Sequence, residues 1–225
     1  MAGCYDENKY YYSGHDFFNQ LSRDNSPDSV SADGNSYITF TYKLPVEVDT
    51  SLTELNLKTT NGTFFETGKA SIKTNFSNLD TTGDSLYAEV TLVSSTKASL
   101  SIVTTSLQGY SVKDTVKFYK AFPSDITLSI IPFYIKNDLI SEVLITCTLS
   151  SDDGIASEKN PIFLDFSPSI GILDTKISYS DSIGKARFNY VFNDLTYVGN
   201  IEFTAKTFNE DDVTILESAK LIIIE

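Results

Sequence analysis

From about Ser29 the chain alternates. Ile38, Phe40, Tyr42 and Leu44 are separated by Thr39, Thr41 and Lys43, and Leu86, Ala88, Val90 and Leu92 repeat the pattern. Leu100 with Ile102, and Val116 with Phe118, continue it. Successive side chains of a strand point to opposite faces, so each run predicts a strand with one buried side. Turn signals fall between the runs at Asp33-Gly34, Asn61-Gly62, Gly83-Asp84 and Gln108-Gly109. No long segment carries apolar residues at the i, i+3, i+4 and i+7 spacing of a helix. Short strands with regular turns predict an all-β sandwich.

The pattern then starts again. Ala121-Phe122-Pro123 closes the first set, and Ile126–Ile131 opens a second. Val143–Leu149 echoes Ile38–Leu44, and Ala186, Phe188, Tyr190 and Phe192 echo Leu86–Leu92. Pro161–Phe166 leads to Gly171 as Leu55–Lys58 leads to Gly62, and Gly199–Ala205 echoes Ala98–Thr104. The offset is roughly 100 residues, the size of one immunoglobulin-like sandwich. The expected architecture is two tandem immunoglobulin-like β-sandwiches preceded by an irregular N-terminal tether. The tether takes residues 1–27, the first domain 28–122 and the second 123–225, with Pro123 and Ser124 in a short linker. A single large β domain is the alternative.

A family resemblance rests on these motifs. Ala32-Asp33-Gly34, a strand, Thr59–Phe64, then Ala88–Thr96 followed by Ala98–Thr104 resembles bacterial immunoglobulin-like domains of the invasin and intimin type. The second unit keeps the Gly171 turn, Ser180–Ala186 and the late strand, but has Lys136-Asn137-Asp138 where Ala-Asp-Gly would stand. The resemblance covers residues 29–225. It implies rigid spacers or binding modules of cell-surface proteins, with no shared catalytic residues.

The leader has its own character. Tyr10-Tyr11-Tyr12 and Phe17-Phe18 sit among Asp, Asn, Ser and Gly without strand alternation. A helical turn from Ser13 to Leu21 is the alternative to an irregular tether, and docking of the aromatics on the first domain is expected, with docking on a partner as the alternative. Met1-Ala2-Gly3-Cys4, followed by Asp6-Glu7-Asn8, resembles the end of a bacterial lipoprotein signal and the start of a mature chain. On that resemblance Cys4 is a lipid attachment point. No apolar h-region precedes Cys4 here, so the reading expects one encoded upstream. A Cys in a plain N-terminal extension is the alternative.

Charge narrows the partners. With 30 Asp and Glu against 17 Lys and Arg, the formal charge is −13. Such a surface repels phosphates, which excludes nucleic acid as a main partner, and disfavours direct adsorption on anionic lipid. An acyl anchor is compatible with it. The second cysteine, Cys147, alternates in register with Val143, Ile145 and Leu149 and is expected to be a buried free thiol.

Candidate chemistry is sparse. His15 is the one histidine and lies in the leader, where nothing positions a triad. Cys4, Cys147 and His15 lack zinc-ligand spacing, so no metal, cofactor or catalytic residue is expected. The acidic groups Asp80 and Asp84, Asp152 and Asp153, and Glu210–Asp212 coincide with turn signals. Calcium at these loops and paired-acid hydrolysis are the alternatives. Asp followed by Ser or Thr and an aliphatic residue or Thr recurs, placing Ser29, Thr81, Ser85, Thr115 and Ser182 in a pattern similar to the O-glycosylation signal of exported Bacteroidota proteins. The expectation is a non-enzymatic, lipid-anchored outer-membrane protein of such a bacterium, periplasmic or surface-exposed. It would bind or space an envelope protein, such as a subunit of an outer-membrane transport or secretion assembly. The alternative is a surface adhesin or carbohydrate-binding module with a glycan partner.

Overall fold

A computed structural model describes residues 18–19, 21–24, 27–45, 54–76, 78–79, 85–138 and 140–225. The first half holds β1 (Ser22–Asp24), β2 (Ser29–Ala32), β3 (Tyr37–Pro45), β4 (Glu54–Thr59), β5 (Thr63–Phe64), β6 (Ser71–Asn75), β7 (Asn78–Leu79), β8 (Ser85–Val93), β9 (Ser99–Leu107) and β10 (Tyr110–Lys120). These form one sheet in the order β1-β3-β8-β5, with β7 also on β8, and a second in the order β2-β10-β9-β4-β6. The second half holds β11 (Asp125–Ile131), β12 (Tyr134–Lys136), β13 (Ser141–Ser151), β14 (Gly154–Ile155), β15 (Pro161–Ser167), β16 (Ile172–Leu173), β17 (Ile177–Tyr179), β18 (Lys185–Phe192), β19 (Gly199–Phe208) and β20 (Thr214–Ile224). Its sheets run β11-β13-β18-β16, with β14 on β13, and β12-β20-β19-β15-β17. The chain is all-β, with two tandem immunoglobulin-like sandwiches.

Each sandwich splits its first strand between its two sheets. β11 pairs antiparallel with β13, and β12 then pairs parallel with β20. β1 likewise pairs antiparallel with β3, and β2 parallel with β10. Pro132 lies between β11 and β12, and Pro27 between β1 and β2. Proline lacks the N–H that a ladder needs, so the strand leaves one sheet there and joins the other. Ser22–Asp24, expected in the irregular leader, are thus a paired edge strand. Three polar side chains carry no alternation, which hides the strand from the sequence. Phe18 and Asn19 form a helical turn, and the Phe18 ring lies 6.1 Å from that of Tyr110. The remaining leader aromatics, His15 and Cys4 lie outside the described residues.

Burial follows the predicted parity on most strands. Ile38, Phe40, Tyr42 and Leu44 of β3 and Leu86, Ala88, Val90 and Leu92 of β8 are buried. Val143, Ile145, Cys147 and Leu149 of β13 meet Ala186, Phe188, Tyr190 and Phe192 of β18 in the second core. Burying one such large apolar side chain contributes about 1.5–3 kcal/mol. β9 reverses the expectation. Leu100 and Ile102 face outward, while Ser101, Val103, Thr105 and Leu107 are buried. The inward polar groups are satisfied: Ser101 Oγ bonds Thr59 Oγ1 at 2.7 Å, and Thr105 Oγ1 bonds the Tyr42 hydroxyl at 2.8 Å. Hydrogen bonding removes the penalty of burying them, so Val103 and Leu107 set the parity. The match to β19 shifts by one residue, with Ile201, Phe203, Ala205 and Thr207 inward.

Contacts divide the chain into two compact units. One comprises the described residues up to Asp28 with Tyr37–Val93 and Leu100–Val116, and the other Ser29–Ser36, Ser94–Ser99 and Lys117–Glu225. Asp33 belongs to the second unit and is almost fully buried. Its Oδ1 accepts bonds from the Asn35 N–H (2.8 Å), the Ser36 N–H (2.6 Å) and the Ser94 hydroxyl (3.2 Å), and its Oδ2 one from the Ser36 hydroxyl at 2.6 Å. Its carbonyl accepts the Ile155 N–H at 3.0 Å. Nearby, Ser157 Oγ donates to the Ala32 carbonyl and accepts the Ala121 N–H. A buried carboxylate with this many donors orders the chain around it.

Two outcomes test this packing. Burial opposes ionisation of Asp33, but the Ser36, Asn35 and Ser94 hydrogen bonds outweigh it and hold the carboxyl below its usual value. A depressed folded pKa gives stability that is present above about pH 4, the unfolded value, and is lost as pH falls through the folded one. Asp33→Ala should cost at least ~2 kcal/mol at neutral pH. The gap to wild type in urea unfolding should shrink in acid, and an equal gap at both pH values would contradict the account. Burial also pushes the Cys147 thiol up to about 12. Its labelling should be slow in the native protein and fast in denaturant, and Cys147→Ser should cost roughly 1–3 kcal/mol. Rapid native labelling would contradict the packing.

Candidate interaction surface

The outer face of the β12-β20-β19-β15-β17 sheet carries exposed apolar residues of the second unit. Register explains why. Phe163 stands opposite Ile177 on one side and Lys206 on the other, and Lys206 stands opposite Leu216. Pro161 stands opposite Tyr179, and its carbonyl accepts a bond from Thr207 Oγ1 at 2.9 Å. Side chains at alternate positions share a face, so Ile177, Phe163, Lys206 and Leu216 form one row across four strands. Tyr179, Pro161 and Phe208 lie beside it. Tyr179 is 61% exposed, Leu216 58% and Ile177 45%.

A cation sits inside this patch. The Phe163 and Phe208 rings meet edge to face with centroids 6.0 Å apart. Lys206 Nζ lies 5.5 Å from the first centroid and 5.8 Å from the second. Both distances allow attraction between the ammonium and the ring faces. Among the described residues Lys206 has no carboxylate partner. The border is polar: Lys176 pairs with Asp165 at 3.5 Å, and Thr204 bonds Ser218 at 3.0 Å. An apolar centre with a polar margin is the anatomy of a protein-binding surface.

The acidic clusters lead to a different place. Asp152, Asp153, Glu210 and Asp211 line an open cleft of about 430 Å³ in the second unit, together with Tyr119 and Phe122. Asn209 Oδ1 accepts the Asp211 and Val213 N–H groups, so this hairpin uses its polar residues to build the turn. Among the described residues no three His, Cys, Asp or Glu side chains converge as metal ligands would.

The other sequence candidates are scattered. Ser29 is half-buried on β2, Ser85 half-buried at the start of β8, and Thr115 exposed on β10. Ser182 is exposed in the turn before β18, where its carbonyl accepts a bond from Thr96 Oγ1 at 2.9 Å. Thr81, Asp80 and Asp84, like Cys4, lie outside the described residues. Ser29, Ser85, Thr115 and Ser182, the described candidates, lie on four separate elements. The surface it does assemble was missed in the sequence, because its residues come from four strands and meet only through cross-strand register. The cue available was Phe163, Lys206 and Phe208, each at outward parity on a strand.

No protein-family model matches the chain, and no curated protein matches it in sequence. Solved structures do. Invasin, described as a bacterial integrin-binding protein, superposes with a TM-score of 0.57 at 18% identity, over 90% of this chain and 39% of invasin. The fold is that of tandem immunoglobulin-like domains. The Yersinia pseudotuberculosis adhesin InvE gives a TM-score of 0.47 at 13% identity, over 92% of this chain and 59% of InvE. InvD of the same organism gives 0.44 at 14%, over 91% and 57%. The chain therefore spans between about two fifths and three fifths of these proteins.

A stability measurement separates this surface from the core. Tyr179→Thr and Leu216→Thr keep residues that suit strands, so each should change unfolding free energy by no more than ~0.5 kcal/mol. A loss of several kcal/mol in either variant would place that side chain in the core.

Proposed function

We propose that this chain is a non-enzymatic binding module of a bacterial cell envelope, lipid-anchored at Cys4. It docks a protein partner through the outer face around Lys206. The observation that carries the reading is the exposed row Ile177, Phe163, Lys206 and Leu216, flanked by Tyr179. Two closed sandwiches make a stiff support for such a face, since a β-sandwich core fixes the positions of its outward side chains. The partner fits an envelope protein, such as a subunit of an outer-membrane transport or secretion assembly. It would lay apolar side chains on Tyr179 and Leu216 and bring a carboxylate to Lys206. The adhesin reading differs in the partner alone, which would sit on another cell. It is favoured by the likeness to invasin, an integrin-binding protein.

The anchor supplies the location. One acyl chain binds membrane marginally and two hold it stably. A Bacteroidota-type outer-membrane lipoprotein would keep the sandwiches at the membrane, periplasmic or surface-exposed, and exported Ser29, Thr81, Ser85, Thr115 and Ser182 would be open to glycosylation.

Two outcomes are expected in the native host. Wild type should fractionate with membranes and carry acyl groups on Cys4 by mass spectrometry, while Cys4→Ala should be soluble or fail to mature. A Cys4 without lipid would sink the anchor. A protein partner retained in detergent should be bound at least tenfold more weakly by a Tyr179→Thr/Leu216→Thr double variant of unchanged stability. Undiminished retention would remove this face from the function. If the partner came from a different cell, the adhesin reading would stand in place of the envelope one.

A further inference from the structure

The first unit carries a surface of opposite sign to the rest of the chain. The outward positions of β4, β6 and β9 are Glu54, Asn56 and Lys58; Ser71, Lys73 and Asn75; and Leu100, Ile102, Thr104 and Ser106. Asn56 stands opposite Lys73 and Ser106, and Lys58 opposite Ser71 and Thr104, so these side chains lie in adjacent rows. Lys69 joins them from the turn before β6. That turn is shaped by Gly68 at a φ of 64° and by Thr67, whose Oγ1 accepts the Lys69 N–H and donates to the Ser71 carbonyl. The result is a shallow depression of about 570 Å³ whose exposed rim includes Lys58, Lys69 and Lys73.

Charge makes this depression unusual. The chain has 30 acidic and 17 basic side chains, yet Glu54 is the one acid at these outward strand positions. Glu54 is occupied: its Oε1 accepts bonds from Lys73 at 2.8 Å and from the Asn56 amide at 3.4 Å. Among the described residues Lys58 and Lys69 have no carboxylate partner. Among the lysines stand the hydroxyls of Thr67 and Ser71 and the Asn56 amide. Thus a concave surface rimmed by three lysines exists on a protein of charge −13.

We propose that this depression binds an acidic polysaccharide. Its carboxylate or sulfate groups would pair with Lys58 and Lys69, and its hydroxyls with Asn56, Thr67 and Ser71. Ammonium groups serve anions as compact point charges, and short hydroxyl and amide side chains both donate and accept, which suits a polymer of alcohols and acids. The depression holds no aromatic ring, so single-stranded nucleic acid would find no platform for its bases. Its apolar lining, Leu57 and Ile72, is buried, and the exposed Leu100 and Ile102 stand on β9 outside it, so the depression itself offers no apolar side chain to a bilayer. The strong negative charge elsewhere confines an acidic chain to this face. The site uses neither the Lys206 surface nor Cys4, so its failure would leave the anchored-module reading standing.

The test is titration of the full chain with alginate and heparin oligosaccharides at low salt. Lys58→Gln/Lys69→Gln should weaken the binding of at least one of them tenfold or more, with an unchanged melting temperature. Lys136→Gln, which removes an exposed lysine of the second unit, should have no effect. Binding should fall as salt rises. No binding by wild type, or an equal loss in the Lys136 control, would overturn the proposal. So would equal affinity for a single-stranded oligonucleotide, or for vesicles rich in anionic phospholipid.

Discussion

Each long strand among the described residues gives one face to a core, and that division governs the rest of the structure. Phe40, Tyr42, Phe188 and Phe203 are fully buried, and the polar groups that share the interior are tied to partners: Tyr42 to Thr105, Ser101 to Thr59, Thr207 to the Pro161 carbonyl. With side chains alternating at period two, whatever is not core is presented on an outer face in fixed register. The interior is spent on folding, and the surfaces that remain are flat, stiff and set side by side in rows. Binding of extended or flat partners suits that geometry better than chemistry in an enclosed pocket.

The sandwiches were legible where parity and composition agreed. Ile38–Leu44 and Val143–Leu149 alternate cleanly, and both proved to be central strands. Legibility failed where a strand offered apolar residues at both parities. Leu100 and Ile102 compete with Val103 and Leu107, and the outcome depends on whether Ser101 and Thr105 find hydrogen bonds across the core. It failed again at β1, where Ser22–Asp24 gain a strand from pairing with Thr41–Lys43 and from a paired Arg23–Asp114, not from their own pattern. In the sequence, Asp33-Gly34 marks a turn. The role of Asp33 as a buried acceptor for Ser94 as well as the neighbouring Ser36 depends on a serine 61 positions on arriving beside it.

The candidate surfaces were least legible, for the same reason. Lys206 is an ordinary outward lysine until Phe163 is placed across from it and Phe208 beside it. Lys58, Lys69 and Lys73 are scattered until β4 and β6 pair. The net charge of −13 averages over both and so conceals a positive depression in one unit. Two outer faces thus differ in kind: one apolar with an embedded cation, the other rimmed by lysines. A module with two such faces can hold a protein and engage a charged polymer without either ligand competing for the same residues.

The central claim is that the face around Lys206 meets a protein partner. Site-specific photo-crosslinking in the native host tests it most directly, with a benzophenone amino acid at Leu216 and, as control, at Asn189. Asn189 is an exposed position on the outer face of the β11-β13-β18-β16 sheet. The account predicts a discrete protein adduct from position 216 and none from position 189. Adducts from 189 but not 216, or from neither, would contradict it.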